Sequence, residues 1–80
     1  MSDEDVLGAI NRLAAEEHDL FQREGRGEAT EADRGRMRQL EVQLDQCWDL
    51  LHQRRARRSA GLDPDDASVR DAGTVEGYLN

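Results

Sequence analysis

Apolar side chains recur at Val6, Ile10, Leu13, Leu20 and Phe21, with Ala9 and Ala14 between them. Steps of three and four residues put them on one face of a helix. Ser2 precedes this stripe with Asp5 three positions on, the pattern of a capping box. Asp3, Glu4 and Asp5 then fill the first turn, where the helix dipole favours anions. Gly8 weakens the helix by about 1 kcal/mol relative to Ala without ending it; Gly25 and Gly27 end it. Thr30 and Asp33 repeat the capping pattern. Met37, Leu40, Leu44, Cys47 and Leu51 follow in a four-three heptad, and Arg54 and Arg58 continue its register. Gly61 suits a left-handed helix end, with Leu62 placed for the apolar contact of a Schellman turn. The pattern predicts helices over residues 3–25 and 31–60.

A connection of roughly five residues makes two such helices antiparallel neighbours. Leu20 then faces Met37, Leu13 faces Leu44, Ile10 faces Cys47 and Val6 faces Leu51. The expected fold class is all-α: an antiparallel two-helix hairpin with a long second helix over residues 1–61, then a mostly irregular C-terminal segment over 62–80. In that segment Asp63-Pro64-Asp65-Asp66 reads as a turn or the capped start of a short helical turn. Val69, Val75, Tyr78 and Leu79 follow without a clear period, in extended or short helical form.

Length changes the picture. A chain of 80 residues has a marginal core unless a disulfide, a metal or association reinforces it. Cys47 is the only cysteine, which removes an intramolecular disulfide and a cysteine-based zinc site. Association remains. On the second helix Leu50, Cys47, Leu40, Leu51, Leu44, Met37 and Trp48 span about 160°, more than one partner helix covers. A homodimer of two hairpins forming a four-helix bundle, with coiled-coil-like packing, accounts for the excess; a tail folded back over the stripe of its own chain is the competing reading. The candidate interaction residues are Trp48, Leu50 and Leu51 on the helix, and Tyr78 and Leu79 in the tail. The tail could also dock on another protein.

Charge sharpens this reading. The net charge is −7, and all eleven bases are Arg, a usage typical of a GC-rich genome. Residues 34–58 carry seven Arg against three acids, whereas the flanking segments are acidic. An acidic chain is repelled by nucleic acid and anionic membrane. Arg54, Arg55, Arg57 and Arg58 form a basic patch that could meet phosphates, but no aromatic side chain lies nearby for base stacking. Neutralisation by Asp3, Glu4 and Asp5 in the hairpin is the simpler expectation. Glu17, within the first apolar stripe, is expected to reach Arg36 or Arg38. Asp49 and His52 have a carboxylate-x-x-His spacing that, with Glu17, would suit a miniature ferritin-like metal site. Asp stands where such sites use Glu, and this flank leans off the seam, so a solvated helix flank is the plainer reading. Cys47 lies on the seam as a small apolar residue with no base beside it. No catalytic residue and no cofactor site is expected. The acidic N-terminus, the free thiol and the absence of a long apolar run point to the cytoplasm, without membrane insertion.

Four blocks carry a resemblance: Ala15-Glu16-Glu17-His18-Asp19-Leu20, Leu40-Glu41-Val42-Gln43-Leu44-Asp45-Gln46-Cys47-Trp48-Asp49-Leu50-Leu51, Arg54-Arg55-Ala56-Arg57 and Val75-Glu76-Gly77-Tyr78-Leu79. Together they resemble a family of short uncharacterised proteins from high-GC Gram-positive bacteria, classed as a domain of unknown function. The resemblance covers nearly the whole chain and implies a cytoplasmic bacterial protein. It implies no activity, cofactor or site residue.

Overall fold

A computed structural model describes residues 1–79, with side chains through Tyr78. Helix α1 spans Asp3–Gly25 and helix α2 spans Glu31–Ser59. A single 3-10 turn follows at Pro64–Asp66, and helix α3 spans Ala72–Leu79. No strand occurs among the described residues.

The ends of the two long helices are set by local chemistry. The Ser2 hydroxyl accepts from the Asp5 N–H while the Asp5 carboxylate accepts from the Ser2 N–H, and Thr30 with Asp33 makes the same box at α2. Both C-termini close with Schellman geometry. The Glu28 N–H reaches back to the Arg23 carbonyl at 2.9 Å, and the Leu62 N–H to the Arg57 carbonyl at 2.8 Å. Each closure turns on a glycine in the left-handed region, Gly27 at φ 73° and Gly61 at φ 75°.

α1 and α2 pack antiparallel. Near the connection Arg23 pairs with Asp33 and Glu24 with Arg34; at the far end Asp3 pairs with Arg54 and Arg58. Val6, Ile10, Leu50 and Leu51 form the main buried cluster, with Leu7, Leu44, Cys47 and Ala67 against it. Leu40 and Leu51 are completely buried. Leu20 is buried nearer the connection.

In the C-terminal segment the expected turn at residues 63–66 and the short helical alternative both occur, leaving less of the stretch irregular than expected. Asp71 starts α3: its Oδ1 accepts from the Thr74 N–H at 2.7 Å, and its carbonyl accepts from the Val75 N–H. The helix then buries Val75 to 3% exposure against α2. Its eight residues are too few to show a sequence period, and a helix so short holds only by docking. Before it, the chain is tied to α2 through its backbone. Gln53 Nε2 donates to the Ser68 carbonyl, and Gln46 Nε2 to the Arg70 carbonyl. Among the described residues α3 touches α2 but not α1. The three helices therefore lie side by side with α2 in the middle, in a body 49 × 25 × 14 Å.

Candidate functional site: an aromatic face along the middle helix

Every aromatic side chain of the protein is exposed. The chain has one Phe, one Trp and one Tyr, and Phe21 is 55%, Trp48 42% and Tyr78 63% exposed. Two grooves connect them. One, of about 200 Å³ between α2 and α3, is lined by Asp45, Trp48, Asp49, His52, Val75 and Tyr78. The other, of about 370 Å³ between α1 and α2, includes Glu17, Phe21, Met37 and Glu41. Among their α2 residues, Met37, Glu41, Asp45, Trp48 and His52 follow one another at steps of three or four. The grooves therefore follow one another along one side of α2.

Local packing sets this face. Trp48 stands beside the seam residues Leu44, Cys47 and Leu51, so its ring emerges at the edge of the α1–α2 contact. The His52 ring lies one turn on, 6.4 Å from the Trp48 ring and tilted by 39°. Tyr78 closes the groove from α3. Its hydroxyl accepts from Arg70 Nη1 at 2.9 Å, and the Arg70 guanidinium carbon lies 5.7 Å from its ring centre. Arg70 Nε also comes within 3.6 Å of Asp49. Carboxylates and bases are interspersed along the face, with Glu17, Glu24, Glu41, Asp45 and Asp49 beside Arg34, Arg38 and His52.

The other candidates are distributed differently from expectation. Leu50 and Leu51 belong to the intrachain core and are not available to a partner, because α1 and the turn around Ala67 cover them. The side chain of Leu79 lies outside the described residues. Glu16, not Glu17, takes Arg36, in a two-pronged contact of 2.6 and 2.9 Å; Glu17 faces the Phe21 groove instead. A difference of one residue turns a side chain by about 100° around the helix, enough to exchange the two roles. Glu17, Asp49 and His52 are not gathered into a site. Asp49 accepts from Gln53 at 2.9 Å and faces Arg70. No group of three potential metal-ligating side chains occurs among the described residues.

The basic patch is divided. Arg54, 4% exposed, donates to Asp3 at 2.8 Å, to Asp65 at 2.9 Å and to the Pro64 carbonyl at 3.2 Å. Arg58 holds the other oxygen of Asp3 at 3.0 Å. Arg55 and Arg57 make no ion pair among the described residues. Hydrogen bonds from Arg58 and Arg54 hold the Asp3 carboxyl below its ordinary range. Burial pushes the Cys47 thiol above its ordinary value, so the nucleophilic thiolate is disfavoured.

Sequence reasoning passed over Gln46, Gln53 and Arg70, which fasten the C-terminal segment. The seven-residue spacing of the two glutamines on α2 was the available signal. It also passed over Glu76, whose Oε1 is buried without a hydrogen-bond partner. Burial, then the neighbouring carboxylates Asp45 and Glu41, raise its pKa.

Comparison with known proteins agrees with the resemblance. Residues 2–80 match the family described as "Protein of unknown function (DUF2630)". Uncharacterized proteins of Mycobacterium bovis and of Mycobacterium tuberculosis strain H37Rv are each 46% identical over 78 residues, covering 96% of this chain and 90% of the relative. No solved structure matches the chain. Among the described residues no helix is long and apolar enough to cross a membrane. The chain belongs to the DUF2630 family.

Proposed function

We propose that this member of the DUF2630 family is a non-catalytic, homodimeric interaction protein of the cytoplasm. Two hairpins pair through the aromatic face into a four-helix, coiled-coil-like bundle. The observation that carries this reading is the exposure of Phe21, Trp48 and Tyr78 around one side of a three-helix row. Domains ordinarily bury the apolar stripes of their helices between packed layers, and here the aromatic stripe has no second layer.

Surface area supports the same conclusion. A compact monomer of 9.1 kDa exposes about 4,900 Å², and this chain exposes 5317 Å². Its radius of gyration is 14.8 Å, against about 12 Å for a compact domain of this length. Arg38 on this face could meet a carboxylate of the second copy across a two-fold axis, as an isologous contact allows. Aromatic side chains are the usual anchors of such contacts.

Light scattering on a sizing column tests the reading. The parent chain is expected at twice its monomer mass, and Trp48→Asp at the monomer mass with its helical circular dichroism retained. A parent chain that runs as a monomer up to the highest concentration it tolerates would overturn the proposal.

A further inference from the structure

α3 is attached to α2 across a line of carboxylates. Glu41 and Asp45 on α2 face Glu76 on α3, and none of the three makes an ion pair among the described residues. One oxygen of Glu76 is sealed from solvent without a hydrogen-bond partner, so an ionised Glu76 bears both a desolvation cost and like-charge repulsion. Other charged or titratable groups nearby are Asp49 and His52 on α2, Arg70 and Asp71 in the preceding segment, and Tyr78 on α3. Asp49 faces Arg70, and Arg70 also holds Tyr78. Asp71 is engaged in capping α3. None of these contacts compensates Glu76. Among the described residues of α3 Val75 alone is buried and apolar, so the opposing apolar contact is small. Two of its eight residues are glycines, which further disfavours the free helix.

We propose that α3 is a proton-controlled strap: it seats on α2 when Glu76 is protonated and loosens when Glu76 ionises against Asp45 and Glu41. A neutral Glu76 carboxyl can share its proton with the Asp45 carboxylate, turning the repulsive pair into a hydrogen bond. The sign follows from linkage. A carboxyl with a raised folded-state pKa contributes stability below its unfolded value, and that contribution is lost as pH rises through the folded value. The ordinary value is 4.5, so docking weakens as pH rises above the usual carboxylate range. The contacts that make this device lie within one chain, although Glu41, Asp45 and Tyr78 also line the face proposed to pair, so exchange is compared at one protein concentration throughout.

Amide hydrogen exchange of α3 in the full-length chain, corrected for the chemical exchange rate at each pH, tests the proposal. In the parent chain the protection of α3 should fall with rising pH, by at most about tenfold per pH unit for one linked proton, while the centre of α2 stays protected. Glu76→Gln should remove this slope and keep α3 protected at neutral pH. Asp45→Asn, which acts from the other side of the contact, should raise protection at neutral pH. Protection of α3 in the parent chain that does not change with pH, or a parent-like slope in both variants, would overturn the strap. Such a slope would place the dependence on another group.

Discussion

Both helices of the hairpin begin in a capping box and end in a Schellman turn, whereas α3 starts from Asp71 and docks through Val75 alone among its described apolar side chains. Carboxylates cap helices in both regions, Asp71 at α3 as Asp5 and Asp33 do in the hairpin, but the packed faces differ. In the hairpin Asp3, Glu16 and Asp33 accept from arginines or backbone N–H groups, which lower their pKa values. At α3 a carboxyl faces other carboxylates and its pKa rises. Closed helix ends and matched charges make a robust scaffold; one apolar contact across unmatched charges makes a removable element. Regions of few buried apolar contacts are where local opening is expected.

The strongest way to break this contrast is in the core. Leu51→Ala empties a completely buried position and should cost about 2–5 kcal/mol, melting the hairpin and α3 together in a thermal scan. Val75→Ala should cost about 1–2 kcal/mol, confined to α3. Hydrogen exchange would then show α3 open while the melting of α2 is little changed. Equal effects of the two substitutions on α2 would abolish the distinction between scaffold and strap.

Thr30→Ala removes one half of a capping box and should destabilise the hairpin by about 0.5–2 kcal/mol in denaturant unfolding. Acid sharpens the contrast with opposite signs. The lowered carboxyls of the hairpin contribute stability above their ordinary value of 3.8 for Asp, and lose it as pH falls through their folded values. Acidification from neutral pH should therefore tighten α3 first, and weaken the hairpin only below that range. Far-ultraviolet circular dichroism together with α3 exchange would separate the two steps. The smallest effect is expected from Gly77→Ala. A Cβ there meets nothing within 4 Å, so α3 should gain about 0.4–1 kcal/mol with no change in the hairpin.

The difference between the regions also explains what the sequence made legible. Capping boxes, helix-ending glycines and three-four periods are local and repeat along a long helix. The all-helical class could therefore be read from Ser2, Asp5, Thr30, Asp33, Gly27 and Gly61 together with the apolar stripes. The aromatic face was legible only in part. A stripe about 160° wide on α2 announced excess apolar surface, but burial divided it, taking Leu50 and Leu51 into the core and leaving Trp48 outside. The exchange of Glu16 for Glu17 reflects sensitivity to a single position when a helix turns about 100° per residue. The strap was hardest to read. Its helix is too short for a period, and its ties, Gln46 and Gln53 to backbone carbonyls, depend on where the returning chain lies.

The central claim is that the aromatic face pairs with its own copy. Isotope-filtered nuclear Overhauser spectroscopy on a mixture of labelled and unlabelled full-length chains addresses it directly. The account predicts intermolecular cross-peaks from the side chains of Trp48 and Phe21. Cross-peaks confined to the opposite side of α2, around Gln39 and Gln43, or none at all, would contradict it.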